Sequence, residues 1–141
     1  MDHIVYVDTR ARELERLLIG DKCMLVRGAE ARKVPYGRVN KGDVLYFIRN
    51  NAEGEIKARA CVVGVYNSES MTREQSVDLI LRYQIKLQLT PGQIKRWAGK
   101  RYLVLIEVDG IQRLDPFRID CSSHNYVYDW LPVGDIAGVM V

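Results

Sequence analysis

Gly20-Asp21-Lys22-Cys23-Met24-Leu25-Val26-Arg27, with Lys41-Gly42-Asp43-Val44-Leu45-Tyr46-Phe47 after it, is the stretch that decides the reading of this chain. A glycine that can close a helix is followed by a lysine and a short apolar strand ending in arginine. A basic connection with little hydrophobic periodicity comes next, and a Gly-Asp turn leads into a second apolar strand. Two cations and a long loop around such strands suit a cleft for an anionic, nucleotide-like ligand.

Upstream of Gly20, residues 3–7 alternate as a first strand, and Asp8 or Thr9 is placed to cap a helix running to about Ile19. Ala11, Leu14, Leu17 and Leu18 share one face of that helix. Downstream, residues 23–26 form a second strand and residues 28–42 one extended connection carrying Gly28, Pro35, Gly37, Asn40 and Gly42. Strands over 44–48 and 55–66, joined by Asn50-Asn51-Ala52-Glu53-Gly54, read as a hairpin. Ser70 or Thr72 begins a helix, with Thr72 and Gln75 spaced as a capping box and Val77, Ile80, Leu81, Ile85 and Leu89 as its core stripe. Thr90-Pro91 opens a further short helix ending near Gly99, with Ile94 and Trp97 facing inward. Residues 102–108 and 111–119 read as two strands joined by an Asp109-Gly110 turn, and residues 136–141 as a last strand.

This order does not alternate as a doubly wound α/β fold does. It predicts a β-dominated α+β protein, a small mixed β-barrel decorated with helices. With 141 residues, 48% of them hydrophobic and 28% charged, the chain is expected to be one globular domain over 1–141. No apolar run nears the roughly 20 residues of a membrane span, and Met1-Asp2-His3 lacks the marks of a signal peptide. A cytoplasmic protein without membrane attachment is the expectation. Three cysteines at wide spacing, Cys23, Cys61 and Cys121, fit reduced thiols, with Cys23 and Cys61 as buried small hydrophobes. With His3 and His124 alone to assist them, no metal site is expected, and nothing calls for a cofactor.

The net charge of +3 is unevenly placed. Residues 10–41 hold nine Lys or Arg against four Asp or Glu, which favours a phosphate or polyanion partner near this region. Lys22, at the strand start, suits contact with a phosphate or service as a tuned base. Arg27 lies five residues on, so strict alternation places it on the opposite face, with Asp43 or Glu30 as its expected structural partners. Lys33, Tyr36 and Arg38, followed by Lys41, combine an aromatic ring with cations in a loop, the pairing that stacks bases and neutralises phosphates of single-stranded RNA. Arg96-Trp97 and Lys100-Arg101 form a second such cluster. Ser122-Ser123-His124-Asn125-Tyr126, with Tyr128 and Trp130, has the polar and aromatic character of a pocket lining, in which His124 and Tyr126 are the candidate contacts.

Gly20, Lys22 and Arg27 match the Gly, Lys and Arg of the Gly-x-Lys-x-x-Glu-x-Arg signature of the ASCH family, within the PUA-like superfamily, and Lys41-Gly42-Asp43 matches the turn that follows it. The chain resembles that family over residues 10–66 and again near 99–108, and departs from it at Leu25, where Glu or Thr is usual. The resemblance implies a PUA-like barrel whose cleft binds RNA or a modified nucleotide near the signature, with Gly20, Lys22 and Arg27 among the contacts. It also implies an alternative, since some relatives are amidohydrolases of acetylated cytidine that use the signature lysine. Here Lys22 would be the catalytic residue, with Glu107 or Glu69 as acid/base partner. Leucine at 25 cannot carry a proton or attack a carbonyl, and Cys23, the nearest nucleophile, should face away from Lys22, so the reading inclines to binding. A non-catalytic interaction or dimerisation module is the third alternative, and the oligomeric state is left open.

Overall fold

A computed structural model describes residues 1–120 and 129–141. The candidates His124 and Tyr126, with Cys121 and Ser122-Ser123, lie outside the described residues. Six strands form one sheet: β1 (Asp2–Val7), β2 (Met24–Ala29), β3 (Val44–Arg49), β4 (Glu55–Asn67), β5 (Tyr102–Arg118) and β6 (Trp130–Gly134). Their spatial order is β2-β5-β4-β3-β1-β6, curled into half a barrel. Strands β1 and β3 run parallel; the other neighbours are antiparallel. Four helices decorate the sheet: α1 (Glu13–Ile19), α2 (Arg73–Arg82), α3 (Gln84–Leu87) and α4 (Pro91–Trp97).

Period-2 alternation explains why the sheet is covered on both faces. Val5, Val7, Leu25, Phe47, Val104 and Ile106 face the concave core, where Leu14 and Leu17 of α1 meet them. Their sequence neighbours turn the other way. Val26, Leu103 and Leu105 pack under Leu79, Ile80, Leu87 and Trp97, and Ile4, Tyr46 and Ile48 join Leu131, Ile136 and Val139. Each such aliphatic or aromatic side chain, fully buried, contributes about 1.5–3 kcal/mol. Leu25 is wholly enclosed in the first cluster, so the position that departs from the signature is spent on packing.

Local signals hold where the chain obeys them. Thr72 and Thr90 each accept from the backbone N–H three residues on, with Gln75 and Gln93 closing both capping boxes, and Pro91 is the first residue of its helix. Gly20 takes φ +87° and ends α1.

Several expectations are corrected. The first helix starts at Glu13 instead of after Asp8, because Asp8 accepts the Ala11 N–H at 3.0 Å and Arg12 turns left-handed. The second helix stops at Arg82, and the chain re-phases through α3, so Leu81 and Ile85 are 56% and 84% exposed while Leu87 is buried. No hairpin forms at Asp109-Gly110. Strand β5 runs through it, paired with β4 from Glu55↔Arg118 to Asn67↔Val104, with the register shifting where Gly110 has φ +64°. An Asp-Gly pair serves a bulge as well as a turn, and the long partner strand selects the bulge. The last strand is β6, against β1; residues 136–138 form a single 3-10 turn, with an isolated bridge from Met140 to Ile119. Cys61 is exposed and Cys23 only half-buried, since both fall on strand ends or outward positions.

Candidate functional site

Arg27 organises the site. As an odd-numbered residue of β2 it shares a face with Leu25, and its guanidinium lies between two indoles, 5.7 Å from the Trp97 ring centre and 5.6 Å from that of Trp130. Its Nη1 and Nη2 donate to the carbonyls of Val26 and Tyr6, each at 2.8 Å. Nε lies 3.1 Å from Asp129 Oδ2. The expected partners are displaced by this arrangement: Asp43 is held by His3 at 2.8 Å, and Asp129, beside β6, takes the place proposed for Asp43 or Glu30.

In front of Arg27 opens a cleft of about 640 Å³. Its walls bring Lys33 and Tyr36 from the long loop together with Arg96, Trp97 and Lys100 from the end of α4, over Tyr102 of β5. Glu30 and Asp129 are the acidic residues among the described lining. The Tyr36 hydroxyl donates to the Ser68 carbonyl at 2.5 Å, its ring meets Tyr102 edge-on at 5.7 Å, and Arg32 lies over both rings at 5.6 and 5.5 Å. Gly28 allows the close fit of the floor, because a Cβ there would stand 2.7 Å from Leu103 Cδ2 and 3.1 Å from Lys100 Cβ.

Lys22 is not in this cleft. Its side chain is 1% exposed, its ammonium donates to the Leu87 carbonyl, and it pairs with Glu13 at 3.4 Å. Strict alternation would have sent Lys22 away from Arg27, but β2 begins only at Met24, so Lys22 precedes the pleat and folds back under α1. Glu13 also accepts from Asp8 N and Gln93 Nε2, each at 3.1 Å. Burial pushes the Lys22 ammonium below the usual lysine range, with Glu13 offsetting part of the effect. Burial would raise the Glu13 carboxyl, but the charges of Lys22 and Arg27 carry it below its ordinary value. A second cavity of about 90 Å³ reaches Glu13 and Gln93 from the other side of Arg27 and Asp129.

Of the residues singled out in the sequence, Arg27, Lys33 and Tyr36 line the cleft, together with Arg96, Trp97 and Lys100 of the second basic and aromatic cluster. Gly20 serves as the helix stop, and Arg38 and Lys41 are exposed outside the lining. Glu107 is tied to Lys86 at 2.6 Å and Glu69 is exposed, so neither attends Lys22. Glu13 and Asp129 were missed. The available signal for Glu13 was its place one turn before Leu17 on the buried face of the helix. Among the described residues no three metal-binding side chains converge, and no helix is long and apolar enough to cross a membrane.

No protein-family model matches the chain, and no curated protein matches it in sequence. Solved structures do match it. The ASCH protein of Zymomonas mobilis is 13% identical, with a TM-score of 0.62 over 83% of this chain and 73% of that one. Two single-substitution variants of the same protein match at 12% identity and the same TM-score, covering 73–75% of their own length. At such identity the likeness speaks for architecture alone, and the curled half-barrel of this chain is an ASCH-like fold.

Proposed function

We propose that the cleft binds single-stranded RNA or a nucleotide derived from it. The observation that carries this reading is the meeting of Arg27, Lys33, Arg96 and Lys100 with the rings of Tyr36 and Tyr102 in one concave surface. Cations that follow a phosphate backbone beside rings on which bases stack are what sequence-tolerant single-strand binding requires. The volume is that of a pocket for a nucleotide-sized ligand. The ASCH-like fold agrees with it, as does the excess of basic residues between 10 and 41. A cytoplasmic RNA-binding module is the corresponding biological reading.

Hydrolysis of a modified nucleoside finds less support, because Lys22 lines neither cavity and Leu25 offers no reactive group. Fluorescence anisotropy with a labelled 12-nucleotide RNA tests the binding reading. Affinity should fall as salt rises from 50 to 200 mM, and Lys33→Ala and Lys100→Ala should each reduce the logarithmic slope by about 0.7. Absence of binding at 50 mM salt, or binding indifferent to salt, would overturn it.

A further inference from the structure

We infer that Asp129 occupies the seat of a phosphate, and that a terminal phosphate monoester of a nucleotide displaces its carboxylate to bind Arg27 and Arg96 together. This rests on the nucleotide-binding reading of the cleft and names the group that its inner end receives.

One carboxylate oxygen, Asp129 Oδ2, stands 3.1 Å from Arg27 Nε and 3.4 Å from Arg96 Nη2. The two arginines come from different elements, β2 and α4, and approach the same point. Arg27 is fixed there: its terminal nitrogens are occupied by main-chain carbonyls, its faces by Trp97 and Trp130, and its side chain is 7% exposed. Each terminal nitrogen has spent one of its two N–H donors on a carbonyl, whereas the single, buried N–H of Nε has ion-pair contact with Asp129 but no well-directed hydrogen bond. A buried guanidinium donor without an aligned acceptor is an incomplete site.

Asp129 is the movable part. Its carbonyl accepts from Tyr6 N at 2.9 Å, which anchors its main chain, while its side chain is one-third exposed and faces the cleft. A rotation about the side-chain torsions releases the carboxylate without unpairing β6. The charge balance favours a dianion in exchange. Two guanidinium groups face one carboxylate, and the Glu13–Lys22 pair behind them is internally neutral. A phosphodiester would replace one negative charge by one. A monoester brings close to two, with three oxygens for the two arginines.

Isothermal titration with uridine 5′-monophosphate, uridine and inorganic phosphate tests this. The monophosphate should bind about tenfold more tightly than uridine, as charge-assisted hydrogen bonds of this kind imply. Asp129→Asn should tighten the monophosphate by removing its competitor, and by more than Glu30→Gln, which deletes the same charge elsewhere in the cleft. Arg96→Ala, an exposed change, should loosen it by about tenfold. Inorganic phosphate competing as well as the monophosphate would support the phosphate seat and identify free phosphate as its ligand. Equal binding of uridine and its monophosphate would overturn the inference, as would a weakening by Asp129→Asn in a protein of unchanged melting temperature. A 5′-hydroxyl RNA that binds under those negative results leaves the RNA reading standing. Monophosphate binding without any RNA binding leaves the phosphate seat standing alone.

Discussion

Glu13 and Lys22 meet at 3.4 Å with 5% and 1% of their side chains exposed, which makes their ion pair a structural unit in the wall behind the cleft. Each member has a further partner: the Leu87 carbonyl accepts from Lys22, and Asp8 N and Gln93 Nε2 donate to Glu13. Removing one partner strands the other charge in the interior. Lys22→Met is expected to cost about 3–5 kcal/mol in urea unfolding, and the double change with Glu13→Gln substantially less than the sum of the two single changes. Strict additivity would mean that the two side chains are not coupled.

Gly20 contributes through its backbone. Its φ of +87° is left-handed, and nothing lies within 4 Å of where a Cβ would stand. Gly20→Ala should therefore lower stability by roughly 1 kcal/mol through conformational strain alone, and leave RNA affinity unchanged. Gly20→Asn should cost less, since asparagine tolerates this region better. A loss of affinity at full stability would return Gly20 to the ligand.

What was legible in the sequence was local chemistry. The Thr72–Gln75 capping box, the Thr90-Pro91 helix start, the Gly20 stop and the 44–66 hairpin depend on residues close together, and they are where the spacing puts them. The bulge at Asp109-Gly110 depends on β4 offering pairing on both sides of it, which spacing does not carry. Leu81 and Ile85 fit a helical stripe only while the helix continues, and the break at Tyr83 turns them outward. In the site, Arg27, Lys33 and Tyr36 were readable as a basic strand and an aromatic loop, and Arg96, Trp97 and Lys100 as a second basic and aromatic cluster, but not the meeting of the two in one cleft. The burial of Lys22 was not, because its partners are a helical carboxylate and the carbonyl of Leu87, brought near only by the fold.

Arg38 and Lys41 offer a test of geometry against composition. They belong to the same basic run as Lys33, yet they lie outside the cleft lining, whereas Lys100, remote in sequence, is inside it. Lys100→Ala should weaken a 12-nucleotide RNA at 50 mM salt several-fold more than Arg38→Ala or Lys41→Ala. Equal effects from all three would mark the interaction as a diffuse attraction to positive charge, measurable by the same anisotropy titration.

The stability of the protein should decline on the acid side of neutrality through His3. Its Nδ1 accepts from Trp130 Nε1 at 3.1 Å and its Nε2 donates to Asp43 Oδ2 at 2.8 Å, so the folded protein holds the neutral ring. Burial lowers the His3 pKa from its ordinary 6.5; the nearby amino group of Met1 acts in the same direction, and Asp43 and Asp2 offset part of the shift. The unfolded chain takes up a proton at about pH 6.5, the folded chain only at lower pH. Stability is thus full above about 6.5 and falls as pH drops toward the folded value, by at most about 1.4 kcal/mol per unit from this group. The carboxyls of Glu13 and Asp43, both held below their ordinary values, add their loss only further down, beginning near pH 4.5. His3→Gln should flatten the decline between pH 6.5 and 5 in urea titrations at fixed salt. Since a proton on Nδ1 would confront the Trp130 N–H, and Trp130 supports Arg27, RNA affinity of the unsubstituted protein should hold while the folded ring stays neutral and weaken only at the lower pH where that ring takes up its proton. An unchanged slope in His3→Gln would rule His3 out as the group responsible.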